Sequence, residues 1–319
     1  MLVSIIHQPR NSSAFIHTQI IIIFSILAAL LTIIANAILL VTLLKTKSLH
    51  TPSNVFVGGL CISDLSAGLV SQPLFLTMLF YTKAGLDLSS FTSVFWYSSE
   101  VFAGVSYIFI LCITIDRYLA ICHPFRYQRT ATCRRHLCVA AILSLIIIPL
   151  PFTSKDVYFW SSTVCVTGMI PVMSYCFGRI YYCIRKQCAG FAKVRTTEAG
   201  QTSNEVQRRK QIKRRKEEKG KAYTLAIMFG CYVLCYAPIL TVASIRDIFK
   251  LCQFTVPMFV LFIWATMLLL VNSFINPIIY CLRMRSIRNA ARAIFLRKNN
   301  IDVTMSVSRG MSTHRGEPA

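Results

Sequence analysis

Asp64 sits in the middle of the apolar stretch LCISDLSAGL, with no basic residue near it in sequence. A carboxylate there is costly unless hydrogen bonds, a counter-ion or a proton meet it. Other polar side chains stand inside similar runs: Asn36 in TIIANAILL, Ser106, and Asn272, Ser273 and Asn276 in NSFINPIIY. Asn272 and Asn276 are four apart and Ser273 is three from Asn276, so on a helix they share a face. Such amides and hydroxyls can donate to a carboxylate, and a sodium ion can balance its charge. A second charged group, Asp116-Arg117-Tyr118, closes another apolar run, with Pro124 seven residues after the Arg. No nucleophile is paired with a base in these runs, and neither a nucleotide-binding loop nor a Cys/His zinc spacing occurs. The chemistry on offer is binding and ion pairing, so the chain is not expected to be an enzyme.

The elements that position these groups follow from hydropathy. The chain has 319 residues, of which 55% are hydrophobic and only 14% charged. Apolar runs of about twenty residues, the length that crosses a bilayer core, recur along it. They do not alternate, and backbone in lipid must satisfy its own hydrogen bonds, so helices rather than a barrel are expected. Seven runs are read at 18–44, 53–80, 90–121, 135–152, 158–184, 221–245 and 254–281, with Glu100 and Arg179 interrupting the third and fifth. The expected architecture is an all-α membrane protein, a seven-helix bundle spanning 18–281. An outer N-terminal segment (1–17) precedes it, and a basic third inner connection falls at about 185–220. An amphipathic stretch at 282–298 and a disordered tail at 299–319 follow. No signal peptide, internal repeat or second domain is read.

Charge orients the bundle. Of 34 Lys and Arg, only Arg10, Lys83, Lys155, Arg246 and Lys250 fall on one side; the others crowd the first, third and fifth connections and the C-terminal tail. The crowded side is cytoplasmic by the positive-inside rule, which puts the N-terminus outside. Asn11-Ser12-Ser13 then forms a glycosylation sequon on the outer side. The net charge of +22 reflects this topology and attraction to anionic lipid, not nucleic-acid binding. The basic run Arg208 to Lys221 reads as a juxtamembrane segment beside the sixth helix. Most of the 13 Cys lie within or beside the runs as small packing residues, and only Cys165 and Cys252 fall close enough to the outer face to pair.

Seven runs, Ser63-Asp64 in the second, Asp116-Arg117-Tyr118 closing the third and NPIIY (Asn276 to Tyr280) closing the seventh resemble the rhodopsin-like (class A) G-protein-coupled receptors. The resemblance implies a receptor that binds an extracellular ligand and promotes nucleotide exchange on a heterotrimeric G protein. It implies that Asn36, Asp64, Ser106, Asn272, Ser273 and Asn276 form a buried sodium site and polar network. It also implies a coupling switch in which Arg117 pairs with Asp116 and Glu218, with Tyr118, Pro124 and Tyr280 in their family places. Pro277 is expected to break the seventh helix and Pro238 to hinge the sixth. Ser306, Ser308, Ser312 and Thr313 in the tail are candidate sites for a receptor kinase, with arrestin as a further partner.

The chain departs from the family pattern in places. Thr92 stands where most relatives have a disulfide-forming Cys, and the second outer loop is short, a loose likeness to the melanocortin, lysophospholipid and cannabinoid branch. Tyr236 replaces the Trp of the sixth-helix Cys-Trp-x-Pro motif. Ser99 occupies the place where amine receptors carry Asp, with Glu100 beside it, about 100° round the helix. Leu270 replaces the Lys that opsins use. By analogy Trp96, Ser99, Glu100, Tyr236, Trp264 and Thr266 line a ligand pocket, which points to a small, largely apolar or weakly polar ligand. Two alternatives compete: a non-signalling scaffold or partner subunit with the receptor fold, and, less favoured, a transporter or channel using Asp64. The latter lacks paired broken helices or charged rings.

Overall fold

The structure, a computed structural model, describes residues 12–84, 89–149, 152, 167–186, 205–248 and 255–295. The described residues are almost wholly helical. In chain order the helices are α1 (Ser12–Lys45), α2 (Pro52–Ser66), α3 (Gln72–Ala84), α4 (Ser89–Cys122), α5 (Pro124–Thr130), α6 (Cys133–Ile147), α7 (167–186), α8 (Glu205–Ile248), α9 (Val256–Arg283) and α10 (285–295). The helices α1, α4 and α9, and α2 together with α3, are long and apolar enough to cross a membrane; α8 contains the shorter apolar segment Ala226–Val242.

Local sequence explains where these helices start and bend. Pro52 and Pro124 occupy first-turn positions, where the missing N–H costs nothing. Thr132 caps α6 by accepting from the Arg135 amide. Between α2 and α3 the chain makes a π turn at Ala67–Ser71. Pro73 accounts for it: its ring removes one i→i−4 bond, and the wider turn re-pairs the carbonyls ahead of it. Pro277 behaves otherwise than expected, since α9 runs through it unbroken, as α8 does through Pro238. Neighbouring helices and local adjustment make up for one lost bond in such segments. The basic run read as a connection is helical from Glu205, so it is an extension of α8 rather than a segment beside it.

Packing builds one bundle. The helix pairs α8–α9, α1–α9, α2–α4 and α1–α2 share the largest contacts, and α6 packs on α2 and α4. One apolar cluster fills the half of the bundle nearer Asp116, including Leu39, Leu60, Ile110, Met228, Tyr232 and Ile287. A second fills the other half with Ile21, Phe75, Phe95, Val242 and Ile263. Between them Gln72, 1% exposed, donates to Leu270 O (3.1 Å) and Thr32 Oγ1 (3.2 Å), tying α3 to α9 and α1. The outward faces stay apolar: Ile16, Ile23, Phe24, Leu27 and Leu30 line the outside of α1. Exposed in water, such a stripe would drive association; in a bilayer it meets its own kind.

Candidate functional site

Two polar sites interrupt this apolar bundle. At the first, Asp64 of α2 has no exposed surface. Its Oδ1 accepts from Ser106 of α4 at 2.8 Å and its Oδ2 from Asn276 of α9 at 2.9 Å. The Ser273 hydroxyl approaches the same carboxylate. Ser63 lies 3.1 Å from Ser106 and donates to Phe102 O, so its proton is already used. Asn36 of α1 spends both amide protons on Thr32 O and Ser273 O, each at 3.0 Å. Asn272 is buried one helical turn from Asn276. Contacts thus link five of the six residues, Asn36, Asp64, Ser106, Ser273 and Asn276, from four helices. Three carbonyl oxygens among them, Asn36 Oδ1, Asn272 Oδ1 and Asn276 Oδ1, are buried without a hydrogen-bond partner. A buried carboxylate met by neutral donors, with unpaired oxygens near it, suits a hard cation that prefers oxygen. Among the described residues no group of His, Cys, Asp and Glu could hold a metal by itself.

The second site lies near the C-terminal end of α4. Asp116 and Arg117 are buried, at 3% and 7% exposure. Arg117 Nε donates to Asp116 Oδ2 at 3.0 Å, and its Nη2 contacts the same oxygen. That oxygen also accepts from Ser53 Oγ of α2 at 2.6 Å. The other, Oδ1, takes Tyr127 Oη of α5 and His136 Nε2 of α6, each at 2.7 Å. One carboxylate thus gathers four helices. Burial, opposed by the Ser53 contact and reinforced by the Asp116 charge, pushes the Tyr127 phenol above its ordinary range, so it stays a proton donor at physiological pH. Tyr118 points elsewhere, its hydroxyl 3.3 Å from His123 Nε2 and its ring against Tyr175 of α7. Tyr280 is buried in the apolar cluster beside this site. Glu218 lies on α8, and its side chain is outside the described residues.

Ser53, Tyr127 and His136 were not expected here. Sequence offers only a faint signal for them: each is a polar residue in the first turn of its helix, after Pro52, Pro124 and Thr132 respectively. Helix starts on one face of a bundle meet at the same depth, which is where a charge at the end of α4 needs partners.

The proposed pocket residues divide. Tyr236 is buried and stacks on Tyr232, with centroids 4.8 Å apart, and Tyr232 stacks on Tyr107 at 4.7 Å, so three tyrosines form a column between α8 and α4. Glu100 stands near enough for its charge to reach Tyr236. Ser99 is buried, and its hydroxyl has no hydrogen-bond partner among the described residues. Trp96 packs on Phe262 of α9. Trp264 faces α1 instead, donating to His17 Nδ1 at 3.3 Å, and the Thr266 hydroxyl donates to Phe262 O. Thr92 is buried. Asn11, Cys165, Cys252, Ser306, Ser308, Ser312 and Thr313 lie outside the described residues.

Residues 35–280 match the family of the 7 transmembrane receptor (rhodopsin family), which covers both sites and every helix between. The chain belongs to that family. It is a multi-pass plasma-membrane receptor that binds an extracellular ligand and acts through a heterotrimeric G protein, not an enzyme. Among curated proteins the receptor is similar to the 5-hydroxytryptamine receptor 1D of Rattus norvegicus, 26% identical over 344 residues, covering 88% of this chain and 90% of that one. The 5-hydroxytryptamine receptor 1B of Homo sapiens is 26% identical over 332 residues, covering 83% of each. The 1D receptor of Canis lupus familiaris is 27% identical over 331 residues, covering 84% of this chain and 86% of its own. The fold of that family is a bundle of seven membrane-spanning helices.

Proposed function

We propose that the receptor couples through Arg117, held at rest by Asp116 and released when α8 swings outward. The observation that carries this reading is the buried pairing of Arg117 with Asp116 at the cytoplasmic end of α4. A charge pair of this kind is a local element with two arrangements, which ligand binding on one side and a G protein on the other can bias. Glu218 on α8 is the second proposed partner of Arg117, and Pro238 lies between it and the ligand side, where one missing backbone bond makes bending easier. Tyr280, within reach of the Arg117 charge, would complete the switch, with Tyr118 next to the arginine in sequence but turned toward His123. Guanine-nucleotide exchange on a panel of G proteins, in membranes carrying wild type or Arg117→Ala, tests it: exchange lost at equal surface expression supports the switch, and unchanged exchange rejects it.

Asp64, Ser106, Ser273, Asn272, Asn276 and Asn36 would hold a sodium ion, which supplies the positive charge the buried carboxylate lacks. Lipid of the inner leaflet would contact the Arg-rich face of α10, and a receptor kinase and arrestin would act on the tail.

The ligand is proposed to be small and largely apolar, bounded by Trp96, Ser99 and the tyrosine column. A second reading, an amine ligand, is favoured by Glu100 standing near Tyr236 and by the likeness to 5-hydroxytryptamine receptors. Exchange stimulated by 5-hydroxytryptamine in wild type and lost in Glu100→Gln would support the amine; no response would leave the apolar reading.

A further inference from the structure

The outward face of α7 changes character along its length. Ile170 and Val172 are exposed and apolar, as on the neighbouring helices. Val172, Tyr175, Arg179, Tyr182 and Lys186 then follow at intervals of three, four, three and four, which sets them on one stripe of the helix, and all five are exposed. The Arg179 guanidinium stands 5.8 Å from the centre of the Tyr182 ring, within cation–π range. The end of α4 closes one side of the stripe. The Tyr118 and Tyr175 rings lie 6.3 Å apart, the Tyr118 hydroxyl is in reach of the Arg179 guanidinium, and Cys122 Sγ lies 3.7 Å from Arg179 O.

Among the described residues no carboxylate pairs with Arg179; Asp116, the acid at that end of α4, is taken by Arg117, Ser53, Tyr127 and His136. The guanidinium is permanently charged, and it sits seven residues, about 10 Å, before Lys186 at the last described turn of α7. We propose that the seam between α4 and α7 binds the headgroup of one anionic phospholipid, its phosphate taken by Arg179 and the Tyr118 hydroxyl and its acyl chains lying toward Val172.

The chemistry of the stripe selects this partner. A guanidinium is planar and weakly hydrated, and its fork of N–H groups matches two oxygens of a phosphate at once. A phenol adds one donor beside it. Tyrosine rings suit the boundary between acyl chains and headgroups, and Tyr175 and Tyr182 bracket Arg179 there. Lys186, further along the same stripe, adds a second positive charge for an acidic headgroup. The distribution of Lys and Arg makes this end of the bundle the expected cytoplasmic one, the side on which a plasma membrane carries anionic phospholipid. A basic surface alone would draw such lipid without preference for place. The Arg179 fork, held against Tyr182 with the Tyr118 hydroxyl beside it, defines a place. Binding here does not depend on the reading of Arg117 as the coupling residue, although the site touches the residue next to it.

The test uses the full-length receptor, purified in a neutral detergent and titrated with phosphatidylserine or with phosphatidylcholine of the same acyl chains. Native mass spectrometry counts the bound lipids, and melting curves check that each variant is folded. Wild type should take its first phosphatidylserine roughly tenfold more tightly than phosphatidylcholine, the scale of a charge-assisted hydrogen bond. Arg179→Gln should lose that preference. Arg179→Lys, which keeps the charge but not the fork, should lose about half of it on a logarithmic scale. Arg126→Gln, which removes an exposed charge on α5, should keep it. Equal preference in wild type and Arg179→Gln overturns the proposal, and so does an equal loss in Arg126→Gln, the mark of a diffuse basic surface. A second measurement needs no variant. In nanodiscs, phenylglyoxal should modify Arg179 of the wild type several-fold more slowly when phosphatidylserine replaces part of the phosphatidylcholine, with Arg126 little changed. Arg179 reacting at one rate in both bilayers also overturns the proposal.

Discussion

Asn276 Nδ2 donates to Asp64 Oδ2 at 2.9 Å, joining α9 to α2 across 212 positions of sequence. With Ser106 on the other oxygen, both oxygens of the carboxylate are met by neutral donors. If sodium supplies the charge, binding to the folded state raises stability by mass action. Exchanging choline chloride for sodium chloride at constant ionic strength should raise the melting temperature of the wild-type receptor. Asp64→Asn should remove that rise, because an amide offers no charge to balance. A rise of equal size in both proteins would place the sodium effect elsewhere.

The switch makes a paired prediction. Arg117→Ala should abolish exchange with surface expression kept, and Glu218→Ala should raise basal exchange by removing the proposed second restraint on Arg117. A fall in both variants, with normal expression, would mean that Glu218 does not restrain the arginine.

Gly59 of α2 faces the end of the Phe109 ring of α4. A Cβ built there would fall inside the Phe109 ring. Gly59→Ala should therefore destabilise the receptor by about 1–3 kcal/mol, the usual cost of overpacking. Adding Phe109→Leu should recover much of the loss, measured as melting temperature in detergent. Equal melting temperatures for wild type and Gly59→Ala would show that the ring moves aside freely.

Ile287 anchors α10. It has no exposed surface and belongs to the apolar cluster beneath Tyr280, while Arg288 donates back to Leu282 O at 2.9 Å. Ile287→Ala should cost about 2–5 kcal/mol, as for other fully buried aliphatics. Loss of surface expression should follow, whereas the exposed Arg285→Ala should change little. Flow cytometry of intact cells against total protein would measure this.

Much of the polar network around Asp64 was legible in the chain alone. Polar residues are so costly within apolar runs that Asn36, Asp64, Ser106, Asn272, Ser273 and Asn276 stand out one by one, and helical spacing puts the last three on one face. The switch was legible only along its own helix. Asp116 and Arg117 are neighbours in sequence, but the partners Ser53, Tyr127 and His136 come from three other helices and are ordinary polar residues at helix starts. Polar residues there carry no signal of their own, because capping and solvation explain them equally well.

The chain alone is enough to settle the class of the protein: helices long and apolar enough to span a bilayer, and the two places where charge must be answered. These follow from local quantities, namely hydropathy and periodicity. The tertiary structure alone decided which side chains answer each charge. It showed that Pro73, not Pro277, disturbs its helix, that Trp264 turns to His17 while Trp96 turns to Phe262, and that His136 reaches Asp116. Those outcomes depend on the rotation and depth of one helix against another, which are set by the interlocking of many side chains at once and leave no periodic trace in any single segment.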